Sequence, residues 1–173
     1  MLIGALACAV MGAVMDVRCG RIPNWLTRGA LLGALALQAI FSGWRGLELG
    51  FAGALVAGSV FFLVYLVRGM GAGDVKLMAA VGAWVGLGNA AVAIMATAIA
   101  GGVLALVYIA LCGQAARVFR NVAELIRFHA IFGITRHPEI SLHDPKSIRL
   151  PYGLAIAAGT LYVAVSTGTL WRG

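Results

Sequence analysis

Charge is what this sequence has least of. Asp, Glu, Lys and Arg make up 11% of its 173 residues, and only six of them are acids. An ordinary soluble domain carries about 25% charge. With 62% hydrophobic residues, a soluble chain would have to expose large apolar patches. The composition excludes that class and points to an integral membrane protein. Polar residues are also too few to cover a separate soluble domain of normal size, so residues 1–173 read as a single membrane domain. Cysteine is scarce as well. Cys8, Cys19 and Cys112 form no CxxC pair and have no histidine at ligand spacing, which argues against a structural zinc site; no metal and no cofactor are expected. Cys8 and Cys112 lie in or at the ends of apolar runs and read as small core residues. The excess of base, formally +7, does not mark a nucleic-acid partner. The bases sit in the gaps between apolar runs, which is the membrane pattern.

What the chain does have is a series of apolar runs: Met1–Met15, about Trp25–Ser42, Leu47–Val67, Val75–Gly88, Ala90–Leu111 and Tyr152–Trp171. The expected fold is all-α and polytopic, with six transmembrane helices. A secretory signal puts positive charge before its apolar core. Here Arg18 and Arg21 follow it, so the first run is expected to remain as a span with the N-terminus outside. Asp16 to Thr27 reads as a short polar segment, in which Pro23 holds the residue before it extended and Asn24 caps a helix starting at Trp25. Glu48 lies at the outer edge of the third span, within reach of water. Gly88-Asn89 is the turn candidate between the fourth and fifth spans. In the long polar segment Gly113–Leu150, Arg117, Arg120, Asn121, Glu124 and Arg127 share one helical face and Val118, Phe119, Val122, Leu125 and Ile126 the other. That is the pattern of an amphipathic helix in the membrane interface, whose basic face could hold anionic lipid. The rest of the segment reads as a loop. This topology puts all thirteen Lys and Arg residues except Arg45 and Arg172 on the inner side, as the positive-inside rule requires. Trp44 and Trp171 fall at outer ends and Trp25 at the inner face.

Two acids stand out against this frame. Asp16 follows the first span and Asp74 precedes the fourth, so two crossings separate them and they face the same, cytoplasmic, side. The first and fourth spans are also the shortest. At about 1.5 Å per residue each covers roughly 21–23 Å of a hydrocarbon core about 30 Å thick, which sets both acids below the inner surface. Acids at such depth are costly and usually face an interior or a water-filled cavity. Two carboxylates close together share a proton and titrate as a unit. Such a pair can activate water against an amide carbonyl and pass a proton to the leaving nitrogen. Asp74 ends the stretch Gly69-Met70-Gly71-Ala72-Gly73-Asp74. There glycines let the backbone turn sharply and let an extended chain come close. The plainer reading, an acid merely solvated at a span end, is open for Asp16 and weaker for Asp74. Arg68 and Lys76 read as inner-face anchors, with tuning of Asp74 as the alternative for both. The glycines lack the GxxxxGK[ST] spacing of a phosphate loop. His129, His137 and His143, with Glu139 and Asp144, have no specific ligand spacing.

These residues carry a family resemblance. Gly71-Ala72-Gly73-Asp74 followed by Val75-Lys76-Leu77 resembles the GxGD motif of the type IV prepilin peptidases. Asp16 with the Ile22-Pro23-Asn24 segment is similar to the family's first catalytic acid and its Ile-Pro-Asn. Leu150-Pro151-Tyr152-Gly153 is similar to the Pro-aromatic-Gly that opens its last core span. The resemblance implies an aspartyl membrane endopeptidase of a prokaryotic cytoplasmic membrane. It would clip the basic leader of prepilins or pseudopilins on the cytoplasmic side, just before the substrate's apolar helix. It implies Asp16 and Asp74 as the catalytic pair, Gly71 and Gly73 in a backbone role, and Lys76, Pro23, Asn24, Pro151 and Gly153 in support. Longer relatives carry an insert with two CxxC pairs that binds zinc and accompanies N-methylation. Cys19 is the sole cysteine of the corresponding segment here, so methyltransferase activity is not expected, and the compact form resembles the peptidases of tight-adherence (Flp) pili. Two other classes fit the composition. A small proton- or cation-coupled transporter would use the same acids, although such folds favour inverted repeats and a midplane site, and a non-catalytic scaffold would tolerate their loss.

Overall fold

The structure, a computed structural model, describes residues 1–67, 69–112 and 151–167. Among the described residues all regular structure is α-helical: α1 (Leu2–Cys19), α2 (Asn24–Leu66), α3 (Ala72–Cys112) and α4 (Tyr152–Ser166). The first three are long and apolar enough to cross a membrane. Arg68, the amphipathic pattern of residues 117–127, the three histidines and residues 168–173 lie outside the described part.

Two glycines bend the long helices. Gly43 (φ 62°, ψ −152°) interrupts α2 and Gly86 (φ 71°, ψ 172°) interrupts α3. Positive φ is strained for any residue with a Cβ, which is why glycine stands at both bends. In a straight helix Leu35 and Gly50 would lie about 22 Å apart. A Cβ on Gly50 would instead stand 3.4 Å from Leu35 Cδ2, so α2 folds back on itself. The same holds for α3. Leu77 lies against Gly12 of α1, while Gly101 lies against Tyr152, whose neighbour Gly153 touches α1 at Ala13 and Asp16. A straight helix would hold Leu77 and Gly101 about 36 Å apart.

The first half of α3 is the hub. It meets α1 through Leu77–Gly12 and Trp84–Gly4, and the second half of α2 through Ala79–Gly58 and Gly82–Gly53. Gly53 and Gly82 oppose one another so closely that a Cβ on either would strike the other's carbonyl. Leu77, Met78, Val81, Ile156 and Val163 are fully buried at the centre. The outside is apolar too: Ile3, Ile40, Phe41, Trp44 and Leu111 are all more than 70% exposed. In water that surface would be untenable; in a bilayer it is the solvent-matched face.

Several sequence expectations are corrected. Helix α1 runs on to Cys19 and ends at Gly20 (φ 63°), so Asp16 is helical and the polar segment shrinks to the residues around Gly20–Pro23. Asn24 is the first residue of α2, not its cap. Pro23 stands at the cap position with no side-chain bond, and the Asn24 side chain serves Lys76 instead. The second reversal falls at Gly86, not Gly88-Asn89, because only Gly86 takes the positive φ. Helix α3 begins at Ala72, not Val75, so Gly73 is already helical, while Gly69 and Gly71 lie in the bend between α2 and α3, and none of the three has positive φ. Their missing side chains relieve crowding instead: a Cβ on Gly73 would stand 3.2 Å from Ile22 Cβ.

Candidate active site

Asp16 sits in the last turn of α1 and Asp74 in the first turn of α3. Antiparallel packing of α1 on α3 brings these two ends together, and a cavity of about 300 Å³ opens between them. Asp16 and Asp74 both line it, with the linker residues Gly20, Arg21 and Ile22, with Asn24, with Gly71, Ala72 and Gly73, and with Lys76.

Each acid has one oxygen held by a backbone amide. The Gly71 N–H donates to Asp74 Oδ2 at 3.1 Å, while the Asp74 N–H donates back to the Gly71 carbonyl at 3.2 Å. This closed loop fixes the first turn of α3 in the manner of a capping interaction. From α4, packed against α1, the Gly153 N–H donates to Asp16 Oδ2 at 3.0 Å. Asp74 is only 8% exposed, and its Oδ1 is buried without a hydrogen-bond partner among the described residues. A buried, unpaired carboxylate oxygen is costly unless something else occupies the site. Asp16 is half-buried.

The supporting residues divide. Lys76 Nζ donates to Asn24 Oδ1 at 2.7 Å, tying the start of α2 to the start of α3 at the cavity wall. Gly71 and Gly73 line the cavity directly. Pro23 (φ −66°, ψ 140°) and Pro151 (φ −74°, ψ 84°) precede α2 and α4 without touching the cavity. Each sets the direction from which its helix arrives. The sequence reading assigned Gly153 no particular contact. Its link to Asp16 spans most of the chain and depends on how α4 packs, so no local signal announces it. A second, larger cavity of about 520 Å³ lies at the opposite end of the helices, lined by Met1, Gly4, Leu37, Phe41, Ser42 and Trp84. Among the described residues it holds no ionisable side chain.

A buried and a half-buried carboxyl group on one small cavity, with Asp74 Oδ1 unpartnered among the described residues, can share a proton, bind a water between them and act as paired acid and base. No match was found among curated proteins or among solved structures. The model of the type IV leader peptidase family matches residues 2–106, which include Asp16, the Ile22-Pro23-Asn24 segment and Gly71–Lys76. That match covers more than half of the chain, and the protein is therefore a member of the type IV leader peptidase family, a helical membrane protease.

Proposed function

We propose that the protein is an aspartic endopeptidase that removes the basic leader of type IV prepilins or pseudopilins, with Asp16 and Asp74 as its catalytic pair. The observation that carries this reading is the meeting of the two acids on one cavity, each with one oxygen held by a backbone amide, and with Asp74 Oδ1 unpartnered among the described residues. In the proposed reaction a water held between the carboxyl groups gives its proton to the ionised one. Its oxygen attacks the scissile carbonyl carbon while the protonated partner donates to the carbonyl oxygen. The tetrahedral intermediate then collapses, the C–N bond breaks and the nitrogen leaves as an amine after taking a proton from the pair. One amide and one water become one carboxylic acid and one amine.

The substrate segment must enter extended, since a helical peptide bond is shielded by its own hydrogen bonds. Gly71 and Ala72, exposed beside the cavity with Gly73 half-buried next to them, leave room for it. We place the cavity toward the cytoplasm of a prokaryotic inner membrane, with six crossings and the N-terminus outside, on the strength of the base distribution. The short 20–23 linker, with no CxxC pair, supports a peptidase without methyltransferase activity, of the compact tight-adherence type. The test is incubation of the purified, membrane-reconstituted protein with a prepilin. A single cut before the apolar helix supports the reading, and an intact substrate removes it.

A further inference from the structure

The geometry points to Gly153 as the positioning residue for Asp16, a role that rests on the peptidase reading and lies outside the segment the family model matches. Asp16 is carried by α1 alone, and a carboxylate on a helix can swing about two side-chain torsions. The Gly153 N–H, at 3.0 Å from Oδ2, holds it in one orientation. The first N–H groups of any helix lack an intrahelical acceptor. The Leu154 N–H closes onto the Pro151 carbonyl at 3.1 Å, which leaves the Gly153 N–H free to point at α1.

Glycine is needed for the approach itself. A Cβ at residue 153 would stand 2.9 Å from Ala13 Cα, 3.0 Å from Asp16 Cβ and 3.1 Å from Asp16 Oδ2. Two of these atoms belong to the face of α1 and cannot swing aside, so any side chain pushes α4 off α1. Close-packed glycines also occur elsewhere. Gly159, further along α4, lies against Thr97 in the same crowded way, but that contact touches neither acid. What separates Gly153 from ordinary helix-crossing glycines is that its amide donates to the side chain of Asp16. Gly71 does the same for Asp74 at 3.1 Å. Asp16 is thus oriented by a backbone amide at the start of another helix, and Asp74 by the amide at the start of its own, so α4 becomes part of the catalytic geometry.

The test replaces Gly153 with glycolic acid in the full chain, turning the amide into an ester. This removes the donor and adds no atom in the crowded contact. Cleavage of a prepilin by the reconstituted protein is followed against pH, beside wild type and Gly153→Ala. The ester variant is expected to lose about tenfold or more in kcat, with KM within about twofold of wild type, as the loss of one charge-assisted hydrogen bond at a reacting group would produce. Its pH–rate profile should move while its unfolding temperature stays near that of wild type. Gly153→Ala should lose more, with a lowered unfolding temperature. An ester variant with wild-type kcat and an unmoved pH profile would overturn the inference, as would a loss fully recovered at lower temperature. If wild type cuts while the ester variant is unimpaired, only the role of Gly153 falls. If wild type itself cuts no prepilin, the peptidase reading falls and takes this role with it.

Discussion

The bundle has a cavity at each end, and the two differ in what holds their walls. At the Asp16 end the lining residues are held by hydrogen bonds, one local to the start of α3, Gly71 to Asp74, and two between separate segments, Gly153 to Asp16 and Lys76 to Asn24. At the other end the cavity is larger, but its walls are Met1, Gly4, Leu37, Phe41, Ser42 and Trp84. The Trp84 indole N–H is buried there without a partner among the described residues, and the ring is wedged against Gly4, about 2.5 Å from where a Cβ would sit. Size therefore does not mark the site. A membrane bundle leaves apolar gaps wherever helix ends splay, and lipid can fill them. A gap lined by ionisable groups, each held in a fixed direction, is built at a cost in desolvation and has chemistry to repay it.

The comparison can be broken by removing either acid. Asp16→Asn and Asp74→Asn should each lower prepilin cleavage by about 10²–10⁴-fold or more, the scale of a lost general acid or base, while membrane insertion is kept. Assays of processing alongside accumulation in the membrane would check this. Closing the helix crossing should act differently. Gly82→Val drives a side chain into the Gly53 carbonyl and should destabilise by about 1–3 kcal/mol through overpacking. The unfolding temperature and the amount of inserted protein would fall together, and the surviving protein would cleave at the wild-type rate.

Smaller effects sharpen the contrast. Lys76→Met removes an exposed hydrogen bond to Asn24 at 2.7 Å, and exposed pairs of this kind contribute about 0–1 kcal/mol. Turnover should fall no more than about fivefold, and Asn24→Ala should match it; their combination should add nothing, since both break one contact. Smallest of all is Trp84→Phe at the far cavity. It deletes an N–H that has no partner among the described residues, so kcat should stay within about twofold and the unfolding temperature should hold or rise, because an unsatisfied buried donor is a liability.

The two ends also differ in how far they could be read from the residues alone. Six acids in an apolar chain draw the eye to Asp16 and Asp74, because charge at membrane depth needs a reason. The helical segments follow from long uncharged runs, and the breaks lie near the polar or glycine-rich gaps. Their exact places do not follow. Gly86 and Gly88 are equally permissive, and which one takes positive φ is decided by packing across the α2–α3 crossing. Asn24 has the chemistry of an N-cap, and only the arrival of Lys76 from a distant helix shows its side chain engaged elsewhere. Gly153 is the sharpest case. Nothing in Pro151-Tyr152-Gly153 states that its amide meets Asp16, since that contact depends on four helices assembling. Backbone amides are invisible in a sequence read by its side chains.

The most direct measurement is cleavage of a full-length prepilin by purified protein in liposomes, wild type beside Asp74→Asn, with the product termini identified by mass spectrometry. The account predicts one cut by wild type, between the basic leader and the apolar helix, and none by the variant at matched protein levels. Cleavage by Asp74→Asn at the wild-type rate would contradict it.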